Sequence, residues 1–129
     1  MSVIPTSHTD LLERPLFAHL GTVRPDGRPQ VNPMWFSWDG EHLFFTNTKT
    51  RHKYRNVTAH PVVAVSINDP KNPYRYLEVR GTVERIDDDS SGAFFLTLAE
   101  RYGMQFDGPP PDAEHRVVYV VRPTSVSHQ

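Results

Sequence analysis

With 129 residues, the chain is long enough for one domain with a single core and too short for two. Its 14 basic and 15 acidic side chains give a formal charge of −1, which argues against a protein that binds nucleic acid through a global positive field. The absence of cysteine excludes disulfides, thiolate metal sites and thiol nucleophiles, so redox chemistry would need an organic cofactor.

The first half of the chain predicts a short helix followed by three strands. Ser7–Arg14 has hydroxyl and carboxylate caps before an apolar pair, and Pro15 ends the helix. Two Asp-Gly pairs, which favour tight hairpin turns, then separate the runs LFAHLGTVR, PQVNPMWFSW and EHLFFTN. These three runs predict a β-meander. Pro33 in the second run indicates an edge strand or a bulge, because proline has no N–H to donate to a ladder.

The second half predicts two helices and three strands. Thr50–Ala59 is compatible with a short helix, and VVAVSI after Pro61 is typical of a strand that is buried on both faces. NDPKNP predicts a loop, and Tyr74–Ile86 predicts a long strand with a bulge or close approach at Gly81. DDDSSGAFFLTLAERYG predicts a helix with an acidic cap, and RVVYVVRP predicts the last strand. Six antiparallel strands with two to three short helices predict a mainly β barrel, one domain spanning 1–129.

The chain has no local motif for a metal or for hydrolysis. Its seven histidines never occur at H-x-x-x-H spacing, and neither G-x-S-x-G nor a phosphate-binding P-loop is present. We therefore predict no metal site and assign no catalytic residue. The beginning of the chain lacks the pattern of a signal peptide, and no stretch approaches the ~20 apolar residues of a membrane span. We expect a cytoplasmic protein without a membrane partner.

A basic cluster follows the third predicted strand, in FFTNTKTRHKYRNVTAHP. It contains four cations within seven positions: Lys49, Arg51, Lys53 and Arg55. Three hydroxyls lead into the predicted helix: Thr46, Thr48 and Thr50. The first N–H groups of a helix have no partner within the helix, so this segment predicts an anion site and favours a phosphate. The alternative is an exposed basic helix surrounded by water.

The second strand predicts a surface for a flat ligand. Pro33 interrupts the strand next to Met34 and Trp35, which would leave backbone donors and acceptors free for the edge of a heterocycle. The alternative is that these aromatic and apolar side chains belong to the core.

Together these segments resemble the flavin/deazaflavin split-barrel family, which includes the pyridoxamine 5′-phosphate oxidase-like proteins. The resemblance covers about residues 10–122 and rests on LGTVRPDGRPQVNPMWFSWDGEHLFFTNTKTRHKYRNVTAHPVVAVSI and YRYLEVRGTVERI. These segments supply in order the family's T-V-x-x-D-G-x-P strand, F-x-T strand, R-x-K-x-x-N helix start and V-x-G-x-V strand. The resemblance implies a six-stranded antiparallel split β-barrel of the FMN-binding type.

The resemblance also implies a homodimer with each cofactor in a groove between the two chains. Two cations would hold the cofactor phosphate, Arg51 and Lys53, and Asn56 would fix the turn. Three hydroxyls would assist: Thr46, Thr48 and Thr50. The main chain facing the ring would be that of Val31, Asn32, Pro33, Met34 and Trp35. Arg75 and Tyr76 would approach the cofactor from the partner chain.

One departure from the family distinguishes two cofactors. Pyridoxamine phosphate oxidases carry an arginine and a lysine in the second strand that reach the flavin phosphate, whereas Pro29–Trp38 has no basic residue. The chain is more similar to the branch that uses coenzyme F420, an 8-hydroxy-5-deazaflavin. This implies an oxidoreductase that transfers a hydride from reduced F420 to a small conjugated or quinone-like acceptor.

Three alternatives stay open. The cofactor could be FMN, or the protein could carry F420 without turnover. A nucleic-acid-binding barrel would use Lys49–Arg55, with Trp35 and Tyr54 as stacking groups, and the near-neutral charge argues against it.

Overall fold

The described part of the chain contains seven β-strands, three α-helices and two short 3-10 turns. The computed structural model describes residues 2–129. Its strands are β1 Ala18–Val23, β2 Pro29–Met34, β3 Ser37–Trp38, β4 Leu43–Thr48, β5 Val62–Asp69, β6 Asn72–Asp88 and β7 Arg116–His128. Its α-helices are α1 Asp10–Glu13, α2 His52–Ala59 and α3 Ala93–Arg101. Short 3-10 turns at Thr6–His8 and Ala113–His115 precede α1 and β7.

The seven strands form one antiparallel sheet in the order β2-β1-β5-β6-β7-β4-β3. The mainly β class with three short helices is therefore confirmed, while the count of six strands is too low by one. The predicted second strand is divided at Trp35 and Phe36, where the chain leaves β2 and enters β3.

The division of this strand also changes the form of the predicted β-meander: both predicted pairings occur, but through two separate strands. β2 pairs with β1, whereas β3 pairs with β4, and these two pairs lie at opposite edges of the sheet. Only two residues separate β2 from β3 along the chain. The sheet must therefore curl so that its two edges approach each other, and this brings the end of β2 close to β4.

Two predicted elements have different limits in the structure. The NDPKNP loop is a hairpin in which only Pro70 and Lys71 lie outside the strands, because β5 and β6 extend into it. β7 continues to His128, beyond the predicted end at Pro123, since its polar end pairs with the first part of β6. In β5 only alternate residues are buried, so the expectation of burial on both faces is wrong.

Gly81 is a point of close approach, as predicted. A Cβ at this position would lie 2.5 Å from the carbonyl oxygen of Arg122, so no other residue fits without movement of the backbone. The pairing of β6 with β7 changes register between Arg80 and Gly81. The bulge increases the bend of β6 and so contributes to the curl of the sheet.

The core lies inside the curled sheet and is closed at one end by α1. Its largest fully buried side chains include Tyr119, Phe36, Phe45 and Leu11. Burial of each such apolar side chain stabilises the fold by about 1.5–3 kcal/mol. None of the described helices is long and apolar enough to cross a membrane.

The acidic segment before α3 caps that helix, as predicted. Asp89 is buried, and its carboxylate accepts hydrogen bonds from the N–H groups of Phe94 at 2.9 Å and Phe95 at 3.1 Å. The carboxylate therefore satisfies two of the helix's first four donors.

Candidate functional site

β2 is an edge strand whose outer backbone groups are free of β1. In an antiparallel pair, residues alternate between those that exchange hydrogen bonds with the neighbour and those whose N–H and C=O point away. Pro29 and Pro33 have no N–H, so they fit positions whose backbone groups point away from β1. Val31 lies two residues from each of them and has the same orientation. The N–H and C=O of Val31 and the C=O of Pro33 are therefore directed away from β1. This edge can bind a flat molecule with donors and acceptors along one side.

A shallow groove begins where this edge ends. It has a volume of about 290 Å³ and is lined by Phe17, Pro33, Met34, Trp35 and Thr46. Thr46 comes from β4, and the curl of the sheet brings it next to the end of β2. The structure thus brings together three residues predicted to face a ring with one of the three predicted hydroxyls.

A chain of hydrogen bonds fixes α2 against the inner face of β1 and β2. The buried Asn56 amide donates to Thr22 Oγ1 at 2.9 Å and to Gln30 Oε1 at 3.2 Å. The Gln30 amide donates to Asn32 Oδ1 at 3.0 Å, and Lys53 Nζ donates to the same oxygen at 3.3 Å. Asn56 therefore holds the helix at a fixed distance from β2, and Asn32 turns its side chain toward Lys53.

Lys53 and Arg51 form a pair of cations that has no acidic partner. Burial lowers the pKa of Lys53 below its ordinary value, and the positive charge of Arg51 lowers it further. Across residues 2–129, no carboxylate lies within ion-pair distance of either side chain. Both effects oppose the charged form of Lys53, and an anion bound between the two cations would reverse them.

The start of α2 adds backbone donors to these cations. Arg51 precedes the helix and provides no side-chain cap. In the described part of the chain, the N–H groups of His52 and Lys53 have no protein hydrogen-bond partner. The hydroxyls of Thr48 and Thr50 lie beside this turn and bond to each other at 2.8 Å. The open helix start and the unpaired cations together fit a phosphate.

The third predicted hydroxyl, Thr46, lines the shallow groove at the end of β2, which we call the ring groove, and does not lie at the start of α2. Its Oγ1 accepts a hydrogen bond from Arg116 Nη1 at 3.3 Å. Thr46 is therefore linked to the region behind the groove, where α3 and the loop before β7 meet.

Arg75 and Tyr76 lie outside the groove. The Arg75 guanidinium donates to Asp10 Oδ1 at 2.6 Å, to Asp69 Oδ2 at 3.3 Å and to the carbonyl of Ser7 at 2.8 Å. The hydrogen bond from Arg75 is the main cause that lowers the pKa of Asp10. The backbone of Tyr76 pairs with Gln129. Their role in a partner's site stays a prediction.

Two residues at the end of α3 position the groove, and sequence reasoning missed this role. The Tyr102 ring stacks on Trp35 at 5.0 Å, and its hydroxyl donates to the carbonyl of Leu16 at 2.6 Å. The same hydroxyl accepts from the N–H of Phe36 at 3.0 Å. Arg101 donates to the Phe36 carbonyl at 2.9 Å.

Arg101 also ties α3 to α1. Its guanidinium donates to the backbone carbonyls of Leu12 and Glu13, the last two residues of α1, and of Arg14, which follows the helix. Burial raises the pKa of Tyr102, so the hydroxyl remains a donor. The segment predicted as the last helix, DDDSSGAFFLTLAERYG, contains Tyr102, but no local signal connects that segment with Trp35, which is 67 positions earlier.

The described residues contain no group of three or more His, Asp or Glu side chains that could hold a metal ion.

Comparisons with known proteins agree with the geometry of the fold. The family model for pyridoxamine 5′-phosphate oxidase matches residues 4–129. A solved structure described as an F420 reductase is 60% identical, with a TM-score of 0.94, and the match covers 98% of this chain and 100% of that chain. General stress protein 26 of Bacillus anthracis shares the fold at 21% identity, with a TM-score of 0.70 over 93% of this chain and 88% of that chain.

A curated relative matches a smaller region. The pyridoxine/pyridoxamine 5′-phosphate oxidase of Azorhizobium caulinodans is 39% identical over 80 residues, which are 60% of this chain. The match spans 37% of the length of that protein.

Proposed function

Because the chain belongs to the pyridoxamine 5′-phosphate oxidase family, we propose that it is an oxidoreductase that uses coenzyme F420. Reduced F420 supplies a hydride to an electrophilic carbon of a small conjugated or quinone-like acceptor, and a separate proton completes the reduction. The choice of F420 is supported by the 60% identity, over 98% of this chain and 100% of the other, with a protein described as an F420 reductase.

The main support for a cofactor with a phosphate group is that the two cations at the start of α2, Arg51 and Lys53, have no acidic partner among the described residues. Lys53 is half-buried, carries a lowered pKa and has Arg51, another cation, as its charged neighbour. A phosphate there would receive charge-assisted hydrogen bonds from both side chains and further bonds from the N–H groups of His52 and Lys53. It would also restore the ordinary preference of Lys53 for its charged form.

The other residues of the site orient the ring and exclude water. The free backbone groups of Val31 and Pro33 would pair with the polar edge of the ring. Phe17, Met34 and Trp35 would cover one face of the ring and shield it from water, which leaves the other face for the acceptor. None of the five groove residues is ionisable, so we assign the separate proton to solvent.

FMN is the second candidate cofactor. The family description and the Azorhizobium caulinodans relative favour it, since the relative is a pyridoxine/pyridoxamine 5′-phosphate oxidase. The same two cations would hold its phosphate. Neither β2 nor β3 contains a lysine or arginine that could add a further contact, and this makes F420 our first choice.

We also propose that the protein is a homodimer. The outer face of β2, β1 and β5 carries a row of small and apolar residues, Val31, Gly21 and Ala64, in register across the three strands. Val31 is 64% exposed and Val62, next to this row, is 54% exposed. A second copy covering this uncharged surface would also enclose the groove that begins at the edge of β2. Val62→Glu would then produce a monomer in light scattering.

Parallel titrations with oxidised F420 and FMN test the proposal. The chain has two tryptophans, and one of them, Trp35, lines the groove, so tryptophan fluorescence reports binding. Preference for F420, followed by acceptor-dependent loss of reduced F420, supports the proposal. Preference for FMN would mean that FMN, and not F420, is the cofactor, and binding of F420 without turnover would identify a carrier. Failure to bind either cofactor refutes the assignment of the site.

A further inference from the structure

A second cavity lies behind the ring groove, between α3 and the segment that leads to β7. Its volume is about 490 Å³. Two aromatic side chains, Phe95 and Phe106, and the three prolines at 109–111 line it. Pockets of roughly 300–1,000 Å³ commonly hold small organic ligands. Rigid aromatic and proline surfaces suit a flat, conjugated molecule that can lie against them.

The charged groups that line this cavity are Arg116 and Asp112, which form a bidentate ion pair, and Asp107, whose side chain is exposed. Arg116 donates from Nε to Asp112 Oδ1 at 3.0 Å and from Nη2 to Asp112 Oδ2 at 3.1 Å. The Arg116 guanidinium carbon lies 4.5 Å from the centre of the Phe95 ring. The pair is neutral, and the exposed Asp107 carboxylate adds one negative charge to the lining, so two carboxylates oppose an anionic ligand and Arg116 opposes a cationic one.

Arg116 has donors left for a ligand. A guanidinium has five N–H groups. Two of them bond to Asp112 and a third to Thr46 Oγ1, which leaves two N–H groups without a protein acceptor among the described residues. These groups can donate to a carbonyl oxygen, which is a neutral acceptor.

The cavity adjoins the ring groove through two contacts. Arg116 bonds to Thr46, which lines the ring groove. The Phe95 ring lies 6.2 Å from the ring of Trp35, which also lines the groove, and 5.7 Å from that of Phe106. A continuous aromatic wall therefore runs from the groove into the cavity.

We propose that this cavity binds the electron acceptor, an uncharged, flat, conjugated molecule with a carbonyl oxygen that accepts a hydrogen bond from Arg116. The proposal rests on the proposed function and adds the position of the acceptor and the chemistry that selects it. Aromatic stacking on Phe106 and Phe95 would hold the plane of the molecule, and the hydrogen bond would fix its direction.

Three probes of similar ring size test the chemistry on protein without cofactor. Menadione has two carbonyls and no charge, 2-methylnaphthalene lacks the oxygens, and 1,4-naphthoquinone-2-sulfonate carries a negative charge. Calorimetry should give the highest affinity for menadione. Amide NMR shifts caused by menadione should occur at Phe95, Phe106, Asp107, Gly108 and Asp112, since the prolines at 109–111 have no N–H. Shifts confined to Phe17 and Trp35, tighter binding of the sulfonate, or no binding of menadione would overturn the proposal.

Two phenylalanine substitutions separate this proposal from the proposed function. Phe106 is 48% exposed and Phe17 is 57% exposed, so replacing either by alanine removes the same group from a partly exposed position. Phe106→Ala should weaken menadione binding about fivefold to tenfold and leave F420 affinity unchanged. Phe17→Ala should do the reverse. If Phe106→Ala weakens F420 instead, the cavity belongs to the cofactor and the proposal fails.

The two proposals can fail independently. A protein that binds menadione at Phe106 but neither F420 nor FMN would retain the ligand cavity and lose the cofactor assignment. A protein that binds F420 normally but shows no effect of Phe106→Ala on menadione would retain the cofactor site and lose the acceptor cavity.

Discussion

Replacing both Arg51 and Lys53 by alanine should weaken cofactor binding without weakening the fold. A hydrogen bond to a charged group contributes about 1.5–3 kcal/mol, and we expect Lys53 to act in this range because it is half-buried. Arg51 is exposed, and ion pairs at exposed positions contribute about 0.2–1 kcal/mol. The combined loss of about 2–4 kcal/mol corresponds to an increase in Kd of about 30-fold to 700-fold.

The Tm of the double variant should not fall, although its affinity for the cofactor does. Lys53 makes one hydrogen bond within the chain, to Asn32 Oδ1 at 3.3 Å, and Asn32 keeps its bond from Gln30. The charged form of Lys53 is opposed by burial and by Arg51, so its removal relieves a cost. We therefore expect an unchanged or higher Tm together with a higher Kd.

Isothermal titration with F420 at low salt, combined with thermal unfolding, measures both quantities. Lys49→Ala with Arg55→Ala is the matched control, because it removes the same charge from the same segment at two exposed positions. This control should change Kd only a few-fold through the general field, about the size expected for exposed charges. Equal losses in the two double variants would refute a specific phosphate site, and unchanged affinity in both would place the phosphate elsewhere.

Three further substitutions have distinct expected results. Because the lowered pKa of Lys53 rises when an anion binds, F420 affinity should be full below that pKa and fall as the pH rises through it, and binding should take up protons in that range. Lys53→Arg should remove this fall in affinity when binding is titrated across pH. An unaltered pH profile in this variant would contradict the role of Lys53. Asp89→Ala should lower the free energy of unfolding by about 0.5–2 kcal/mol in denaturant titrations, because α3 loses its cap; no change would mean that water replaces the carboxylate. Tyr102→Phe should lower the free energy of unfolding in denaturant titrations by about 1–3 kcal/mol, because the Phe36 N–H loses its partner while the ring keeps its stack on Trp35. A large change in tryptophan fluorescence would show that the hydroxyl, and not the ring, orients Trp35.

Several features followed from short segments because their causes are local. The two Asp-Gly pairs occur at turns in which Gly27 and Gly40 have φ of 88° and 96°, values that glycine adopts without strain. The cap of α3 by Asp89 and the start of α2 after a run of threonines depend on residues within one or two turns of each other. The pair of cations at α2 was also visible, since Arg51 and Lys53 are two positions apart.

The pairing of the strands was decided by the tertiary structure. The alternation of side chains in the second predicted strand shows which residues share a face, but it does not identify the strand that receives each hydrogen bond. The chain passes from a pairing with β1 to a pairing with β4 at Trp35 and Phe36, and this position depends on Arg101 and Tyr102, whose contacts arise only when α3 packs against the crossover.

The candidate site also has some features that depend on short segments and others that depend on the tertiary structure. By itself, the sequence determined the basic segment at the start of α2 and the apolar edge of β2, because turn chemistry, helix starts and missing N–H groups act over a few residues. Only the tertiary structure decided that Thr46 faces the groove, that Asn56 anchors α2 to Gln30, and that Arg116 lies behind Thr46. The two hydrogen bonds join residues 26 and 70 positions apart, and the position of Thr46 beside the end of β2 is set by the curl of the sheet, which no short segment encodes.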